Sequence, residues 1–249
     1  MAVRPGNFQQ NDTLNRYLLF FPRNANALND VHSFTGEEAL SQPYRYTIRF
    51  TSPNANISPD AILNQKAEFL LRAPNPEASW HGQSSWLPVR QINGTITAFS
   101  RVKSSSDEAL YECVLEHELA LLNRNFRSAV YTDVTVPEVV TQLMKESRYF
   151  EGFNIDFDSL RCTYPRREMI IQWKETDLEF IRRLLAEVGI WFRLENHSTT
   201  PTETVVIFGD SASRYIISEK KFPFVRRSGM TSHCLLYTSP SPRDGLLSR

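Results

Sequence analysis

The N-terminal half of the chain carries apolar and aromatic residues at the spacing of β-strands. Alternate residues from Tyr44 to Phe50 are apolar, and the residues between them are Arg or Thr, as in a strand buried on one face. Further apolar segments predict strands over 14–21, 67–71, 94–102 and 110–116. Short strands at this spacing favour a β-barrel or a β-sandwich. The sequence also predicts a short helical turn after Ser58-Pro59. A loop is predicted from Pro74, Pro76, Trp80, Gly82 and Pro88.

Two helices are predicted in the second half of the chain, each by a capping box. Thr135 with Glu138 begins the first helix, and Thr176 with Glu179 begins the second. Gly189 supplies the residue at which the second helix ends. Apolar stripes follow both caps: Val139, Val140, Leu143 and Met144 in the first, then Leu178, Ile181, Leu184, Leu185 and Val188 in the second.

Predicted strands over 169–173, 190–194 and 204–208 flank the second helix. This arrangement fits either a crossover between parallel strands or a helix packed on an antiparallel sheet. The rest of the chain lacks regular alternation of strands and helices, so we predict a β-rich α+β fold. We expect the aromatic side chains of this fold to lie in its core, including Tyr44, Tyr46, Trp173, Trp191 and Phe192.

Composition excludes several classes of protein. The 249 residues include 28 Lys and Arg against 28 Asp and Glu. The chain therefore lacks the excess of basic residues that is typical of a nucleic-acid binder. Hydrophobic residues make up 41% of the chain, which argues against global disorder, and three Cys are too few for a disulfide scaffold. No apolar run reaches the length of a membrane helix, and residues 1–11 lack the apolar core of a signal peptide.

Candidate metal-binding residues do not form a complete motif. His117-Glu118 resembles the start of H-E-x-x-H, but position 121 is Leu. The five His and three Cys are not spaced as metal ligands, and no glycine-rich phosphate loop occurs. We therefore expect no catalytic, cofactor-binding or metal-binding residues, and we expect the protein not to be an enzyme.

Three other segments admit a functional interpretation. Gly209-Asp210-Ser211 predicts either a turn after a strand or the start of a hydrolase nucleophile block. Such a hydrolase would use Ser211 or a carboxylate pair. The loop from Trp80 to Trp86 is a candidate carbohydrate-binding or peptide-binding loop. The charged residues of 161–175 form either a solvated face or a polar rim around a subunit contact: Arg161, Arg166, Arg167, Glu168, Lys174 and Glu175.

Three longer stretches together resemble a known family. They are Ser33–Tyr46 with its G-E-E-A-L-S turn, Tyr131–Val140 with its capped helix, and Tyr164–Phe192. The third is the most specific, because it combines Y-P-x-R-E, Q-W-x-E-T-D and the helix exit L-L-x-E-x-G-I. In order and spacing they resemble the N-terminal part of VgrG, the type VI secretion spike protein, and the related late control D and baseplate hub proteins of contractile phage tails. The resemblance covers about residues 14–230.

The resemblance implies two β-barrel-like domains with helical insertions. We expect a flexible N-terminus over 1–13, a first barrel-like domain over 14–125, and an α+β segment over 126–230 that leads into an incomplete second barrel. The oligonucleotide-fold linker and β-helix of the family are expected to be missing. The family implies a homotrimer that stacks on a hexameric Hcp-like tube and carries a tip protein or effectors. It also implies assembly in the cytoplasm followed by export through the secretion machinery.

The C-terminal residues 234–249 do not resemble the family. Cys234 to Asp244, with the sequence CLLYTSPSPRD, matches one reading frame of a transposase-based sequencing adaptor. We therefore expect this segment to be a non-native tail. The alternative is a genuine disordered tail rich in Ser and Pro.

Overall fold

The computed structural model describes residues 15–22, 29–75, 85–147, 149–150, 155–197, 200 and 202–215. Several expectations from the sequence lie outside these residues, namely the flexible N-terminus, Trp80 in the candidate binding loop and the C-terminal tail. The strands are β1 (Tyr17–Phe20), β2 (Asp30–Glu37), β3 (Arg45–Ser52), β4 (Lys66–Pro74), β5 (Trp86–Ser104), β6 (Ala109–Glu116), β7 (Phe126–Val134), β8 (Ile155–Asp156), β9 (Arg167–Thr176), β10 (Trp191–Asn196) and β11 (Thr204–Gly209). The α-helices are α1 (Val136–Glu146) and α2 (Asp177–Glu187).

The first six strands form a closed barrel in the order β1-β2-β3-β6-β5-β4. Every neighbouring pair is antiparallel, and β1 closes the barrel by pairing with β4. Closure leaves no unpaired sheet edge, and alternate side chains point into a single core. Tyr46, Ile48 and Phe50 of β3 are buried in this core, which confirms the alternation in the sequence.

Three barrel strands, β4, β5 and β6, are longer than the sequence predicts. β5 includes Pro88, which the sequence assigns to a loop. Pro88 lies opposite Arg72, at a register shift between Leu71 and Arg72 of β4. Proline cannot donate to a strand ladder, but a bulge removes the need for that donor. The prediction of a loop at Pro88 is therefore wrong, because the strand continues through a bulge at the neighbouring residue Val89 of β5.

Residues from β7 to β11 form a second structure, called here the α+β unit. β7 and β9 pair as a two-stranded antiparallel ribbon, whereas β10, β11 and β8 form a separate three-stranded sheet. The two helices, the inner face of the ribbon and the three-stranded sheet share one hydrophobic core. β9 and β10, on either side of α2, therefore belong to different sheets. Both predicted arrangements placed them in one sheet, and the structure corrects them.

Both capping boxes are present. Thr135 Oγ1 accepts a hydrogen bond from the Glu138 amide, and the Glu138 carboxylate accepts one from the Thr135 amide. The Thr135 amide is also the main cause of the lowered pKa of Glu138. Thr176 and Glu179 repeat the arrangement at α2. Gly189 has a φ of +74° just after α2, the left-handed conformation that ends a helix.

One expectation about the core is wrong. Tyr46, Trp191 and Phe192 are buried and Tyr44 is partly buried, but Trp173 is 68% exposed. Trp173 lies on the outer face of β9, whereas its neighbour Gln172 points inward and is fully buried. Trp173 is exposed because the ribbon packs against the helices on one face only.

No helix in the described part of the chain has the length and apolar character needed to cross a membrane.

Candidate functional site

The barrel and the α+β unit meet along a hydrogen-bonded boundary, called here the seam. One contact across the seam is made by Ser41, the last residue of the G-E-E-A-L-S turn. The Ser41 amide donates to the Phe192 carbonyl at 2.9 Å, and the Phe192 amide donates to Ser41 Oγ at 3.2 Å. Ser41 adopts a φ of 58° to make both contacts. The same turn is fastened to the barrel by Glu38, whose carboxylate accepts from Arg90 at 2.6 Å and from the Tyr46 hydroxyl.

Further polar contacts extend the seam toward the turn between β10 and β11. They are Lys66 with Glu203 at 2.5 Å, Asn93 with Asn196 at 3.1 Å, Asn196 with the Gln91 carbonyl at 3.0 Å, and Thr204 with Glu118 at 3.1 Å. Each contact joins a barrel residue, or the short helix Glu118–Arg124 that follows the barrel, to β10, β11 or the turn between them. Because several independent groups bridge the boundary, the two structures are held in one relative orientation.

His117 lies at the seam and is fully buried. Its Nδ1 accepts a hydrogen bond from the Leu119 amide at 3.1 Å, which caps the helix Glu118–Arg124. Its Nε2 lies 3.8 Å from Glu118 Oε2 and has no hydrogen-bond partner among the described residues. Burial lowers the pKa of His117 to about 4, against the smaller opposing effect of Glu118. The His117-Glu118 pair is therefore part of the packing between the two structures.

A second polar cluster lies inside the α+β unit at the start of α2. Asp177 is 1% exposed, and its carboxylate accepts from Arg127 Nε at 2.8 Å, Gln172 Nε2 at 2.9 Å and Asn125 Nδ2 at 3.2 Å. These contacts tie both strands of the ribbon to the helix. Sequence reasoning assigned the Q-W-x-E-T-D segment only a helix cap at Thr176 and missed the Asp177 anchor. The spacing of Gln172 and Asp177, on either side of the cap, is the signal that could have indicated it.

Gly209-Asp210-Ser211 forms a turn at the end of β11. Asp210 Oδ2 accepts from the amides of Arg161 and Cys162 at 2.8 and 2.7 Å and from the Tyr164 hydroxyl at 3.0 Å. These bonds, led by that of the Cys162 amide, lower the pKa of Asp210 to about 2. Ser211 Oγ contacts Ser213, both its amide and its hydroxyl. Those contacts belong to the short helical turn after β11, and they supply Ser211 with no general base.

The remaining candidates for chemistry are dispersed through the described structure. Cys113 is buried in the barrel core, and burial raises the pKa of its thiol to about 12. Cys162 is exposed near Asp210. No group of three or more His, Cys, Asp or Glu side chains within the described residues is placed to hold a metal ion.

Three of the charged residues of 161–175 form ion pairs within the chain. Arg166 contacts Asp133 at 3.2 Å and Glu138 at 3.0 Å, and Arg167 contacts Glu187 at 2.7 Å. Glu175 contacts Arg183 at 2.7 Å. These pairs are largely solvated, so each contributes little stability on its own. They surround the ribbon with charges of both signs.

The outer face of the ribbon is apolar and exposed. Val130 pairs with Ile171 across the two strands, and Thr132 pairs with Met169. The exposed apolar side chains are Phe126 at 67%, Val130 at 60%, Met169 at 57%, Ile171 at 43% and Trp173 at 68%. Single exposed apolar residues are common, but a contiguous group of five is typical of a surface that contacts another protein.

The chain is similar in sequence to phage and secretion proteins. Residues 37–239 match the sequence model of the phage tail baseplate hub (GPD) family. The type VI secretion system spike protein VgrG5 of Pseudomonas aeruginosa is 29% identical over 207 residues, which are 81% of this chain and 23% of that protein. The spike protein VgrG3 of Vibrio cholerae is 24% identical over 208 residues, 80% of this chain and 19% of that protein. The chain thus spans about a quarter or less of these relatives.

Solved structures share the fold. The c3393 protein of E. coli, described as a type VI secretion component with structural similarity to the T4 phage tail proteins gp27 and gp5, is 36% identical with a TM-score of 0.69, covering 80% of this chain and 51% of that one. A chain of the Francisella PdpA-VgrG complex shares the fold at 10% identity and a TM-score of 0.53, covering 77% of this chain and 27% of that one. Since the family match extends over most of the sequence, the chain belongs to the phage tail baseplate hub (GPD) family.

Proposed function

We propose that this chain is part of a type VI secretion spike, in which it contributes to a trimeric base that stacks on the tube and carries the puncturing tip. The observation that carries the proposal is the closed barrel joined through the seam to the α+β unit, the arrangement in which the chain matches the type VI component c3393 over 80% of its length. The spike proteins among its relatives support the same assignment.

The proposed role is mechanical. A spike base must keep its orientation on the tube while the sheath contracts, and the seam supplies a fixed orientation through hydrogen bonds at Ser41 and near the turn between β10 and β11. The exposed face of the ribbon supplies apolar surface suited to assembly. The domain division follows from this proposal: a first barrel-like domain over 14–125, and a segment over 126–230 that leads into a second barrel. Neither catalysis nor a cofactor enters the proposed role.

The partners and the location follow from the same proposal. They are two further copies of the protein, a hexameric Hcp-like tube, and a tip protein or effectors bound through C-terminal domains of the full-length protein. The protein would assemble in the cytoplasm and leave the cell on contraction. One relative, VgrG1 of Vibrio cholerae, is named an actin cross-linking toxin; that activity is not proposed for the residues described here.

The test uses the full-length protein encoded at the native locus. Sedimentation of the purified protein is expected to show a trimer, and deletion of the gene is expected to abolish release of the tube protein into the medium. Complementation with Ser211→Ala should restore release, whereas Gly94→Ala, which disrupts the barrel, should not. A stable monomer at micromolar concentration, or normal tube release without the gene, would overturn the proposal.

A second candidate function is a baseplate hub in a phage or phage-like tail, which the family match itself favours. The neighbouring genes discriminate between the two. Tube, sheath and ATPase genes beside this one support the secretion spike, whereas capsid and terminase genes support the tail hub. The same sequencing would show whether codons 234–244 exist at the native locus.

A further inference from the structure

His117 occupies the boundary between the two hydrophobic cores. The edge of the Tyr44 ring meets it from the barrel side, with ring centroids 5.5 Å apart, and the Phe150 ring stacks on it from the α+β unit at 6.3 Å. Tyr44 packs against the barrel core, and Phe150 belongs to the core of the α+β unit. The imidazole can therefore reach water only when these two cores separate locally or unfold.

The hydrogen bonds of His117 define which nitrogen can take a proton. Nδ1 accepts from the Leu119 amide, so the proton of the neutral ring is on Nε2. A second proton has to bind at Nδ1, where it displaces the Leu119 N–H and removes the cap of the helix Glu118–Arg124. The folded protein thus cannot charge this histidine without breaking an existing hydrogen bond inside a buried site.

The surroundings of His117 offer little compensation for a positive charge. From its own helix, Glu118 Oε2 lies 3.8 Å from Nε2, but the same oxygen accepts from Thr204 of β11 at 3.1 Å. From the barrel side the group that faces the ring is Tyr44, whose pKa is raised mainly by burial, so it stays neutral. From the α+β unit the facing group is Phe150, which carries no charge. Among the described residues, Glu118 is the charged group whose electrostatic field acts on the imidazole.

We propose that His117 makes the seam acid-sensitive, because separation of the barrel from the α+β unit exposes an imidazole that then takes up a proton excluded from the folded protein. This device does not depend on the proposed spike function. The pKa of His117 is about 4 in the folded protein and returns to the ordinary 6.5 on exposure. The stabilisation from the neutral, buried ring is therefore complete above pH 6.5 and is lost progressively as the pH falls toward 4. Between pH 7 and pH 5 the equilibrium constant for unfolding should rise about 20-fold through this one group.

The experiment combines urea unfolding at pH 7 and pH 5 with NMR titration of the histidine ring protons in the full chain. His117→Asn keeps an oxygen that can accept from the Leu119 amide but cannot titrate in this range, so it should lose the 20-fold acid effect. His32→Asn, at an exposed position of β2, is the matched control and should keep it. Comparing the variants cancels the titration of every other group.

The NMR titration tests the proposal even if His117→Asn fails to fold. The wild-type His117 resonance, identified by sequence-specific NMR assignment, should remain that of a neutral ring with its proton on Nε2 down to about pH 5. Titration of His117 near pH 6.5 in the folded protein would overturn the proposal. So would an acid effect of equal size in wild type and His117→Asn.

Discussion

Asp177→Ala offers a direct measure of how the α+β unit is held together. Asp177 is 1% exposed, and its carboxylate accepts hydrogen bonds from Arg127, Gln172 and Asn125. Its removal therefore leaves a donor on each strand of the ribbon without its acceptor. Removing one partner of a buried ion pair costs about 3–5 kcal/mol. The Arg127 side chain is 38% exposed and its Nη2 lies 3.5 Å from Glu146, so it keeps water and a second carboxylate. We therefore expect the lower end, about 3 kcal/mol in the free energy of unfolding.

The assay is urea unfolding at pH 7, monitored by tryptophan fluorescence and by circular dichroism. A loss of about 3 kcal/mol corresponds to roughly a 150-fold larger unfolding constant. Asp177→Asn keeps one carbonyl acceptor and should cost about 1.5 kcal/mol through loss of the charge. Asp107→Ala, in the exposed turn between β5 and β6, is the control and should change stability by less than about 0.5 kcal/mol.

A double-mutant cycle separates the anchor from a general effect of truncation. If Arg127 and Asp177 interact as described, the loss in the double variant should be smaller than the sum of the single losses by about 1 kcal/mol or more. A single loss below about 1 kcal/mol for Asp177→Ala, or strict additivity in the cycle, would refute the interpretation of Asp177 as the anchor of the ribbon.

Three further predictions concern the barrel, the seam and the turn after β11. Gly94→Ala should lower stability by about 3 kcal/mol or more in urea unfolding, because its Cβ would lie 2.3 Å from the Glu116 carbonyl oxygen; Gly189→Ala, at positive φ in open space, should cost only about 1 kcal/mol. Ser41→Ala should cost about 1–2 kcal/mol, since the Phe192 amide loses its acceptor across the seam, and an unchanged midpoint would contradict that role. Asp210→Asn should speed amide exchange at Cys162 from pH 7 down to about pH 4, where the ionised wild-type carboxylate protects that amide; because the pKa of Asp210 is about 2, the wild-type protein should lose this protection as the pH falls toward 2. Equal exchange rates in both proteins would contradict the last prediction.

The sequence predictions succeeded where the interacting residues lie close together in the chain. The caps at Thr135 and Thr176 depend on residues three positions away, so the sequence contains both partners. Alternation along β3 also reports a local property, since one face of a strand in a closed barrel is buried along its whole length. The loop prediction at Pro88 failed because the pairing of Pro88 with Arg72 of β4 joins residues more than ten positions apart in the chain.

The roles of the candidate catalytic and metal-binding residues depended on tertiary structure more than the helices and strands did. The sequence suggested either a turn or a nucleophile at Ser211, and only the fold places Asp210 against the amides of 161 and 162. The sequence treated His117-Glu118 as an incomplete metal motif. Folding instead places His117 between Tyr44 and Phe150, which are separated from it by 73 and 33 positions in the chain.

The sequence by itself determined the β-rich α+β class, the positions of both helices and the resemblance to spike and hub proteins, because each rests on short-range patterns of apolar residues, caps and turns. Only the tertiary structure decided that β9 and β10 enter different sheets, that Trp173 faces outward, and that Ser41 joins the barrel to Phe192. Those outcomes depend on which surfaces meet when distant segments pack. An apolar pattern indicates that a residue prefers burial, but the partner that covers it is chosen by the fold.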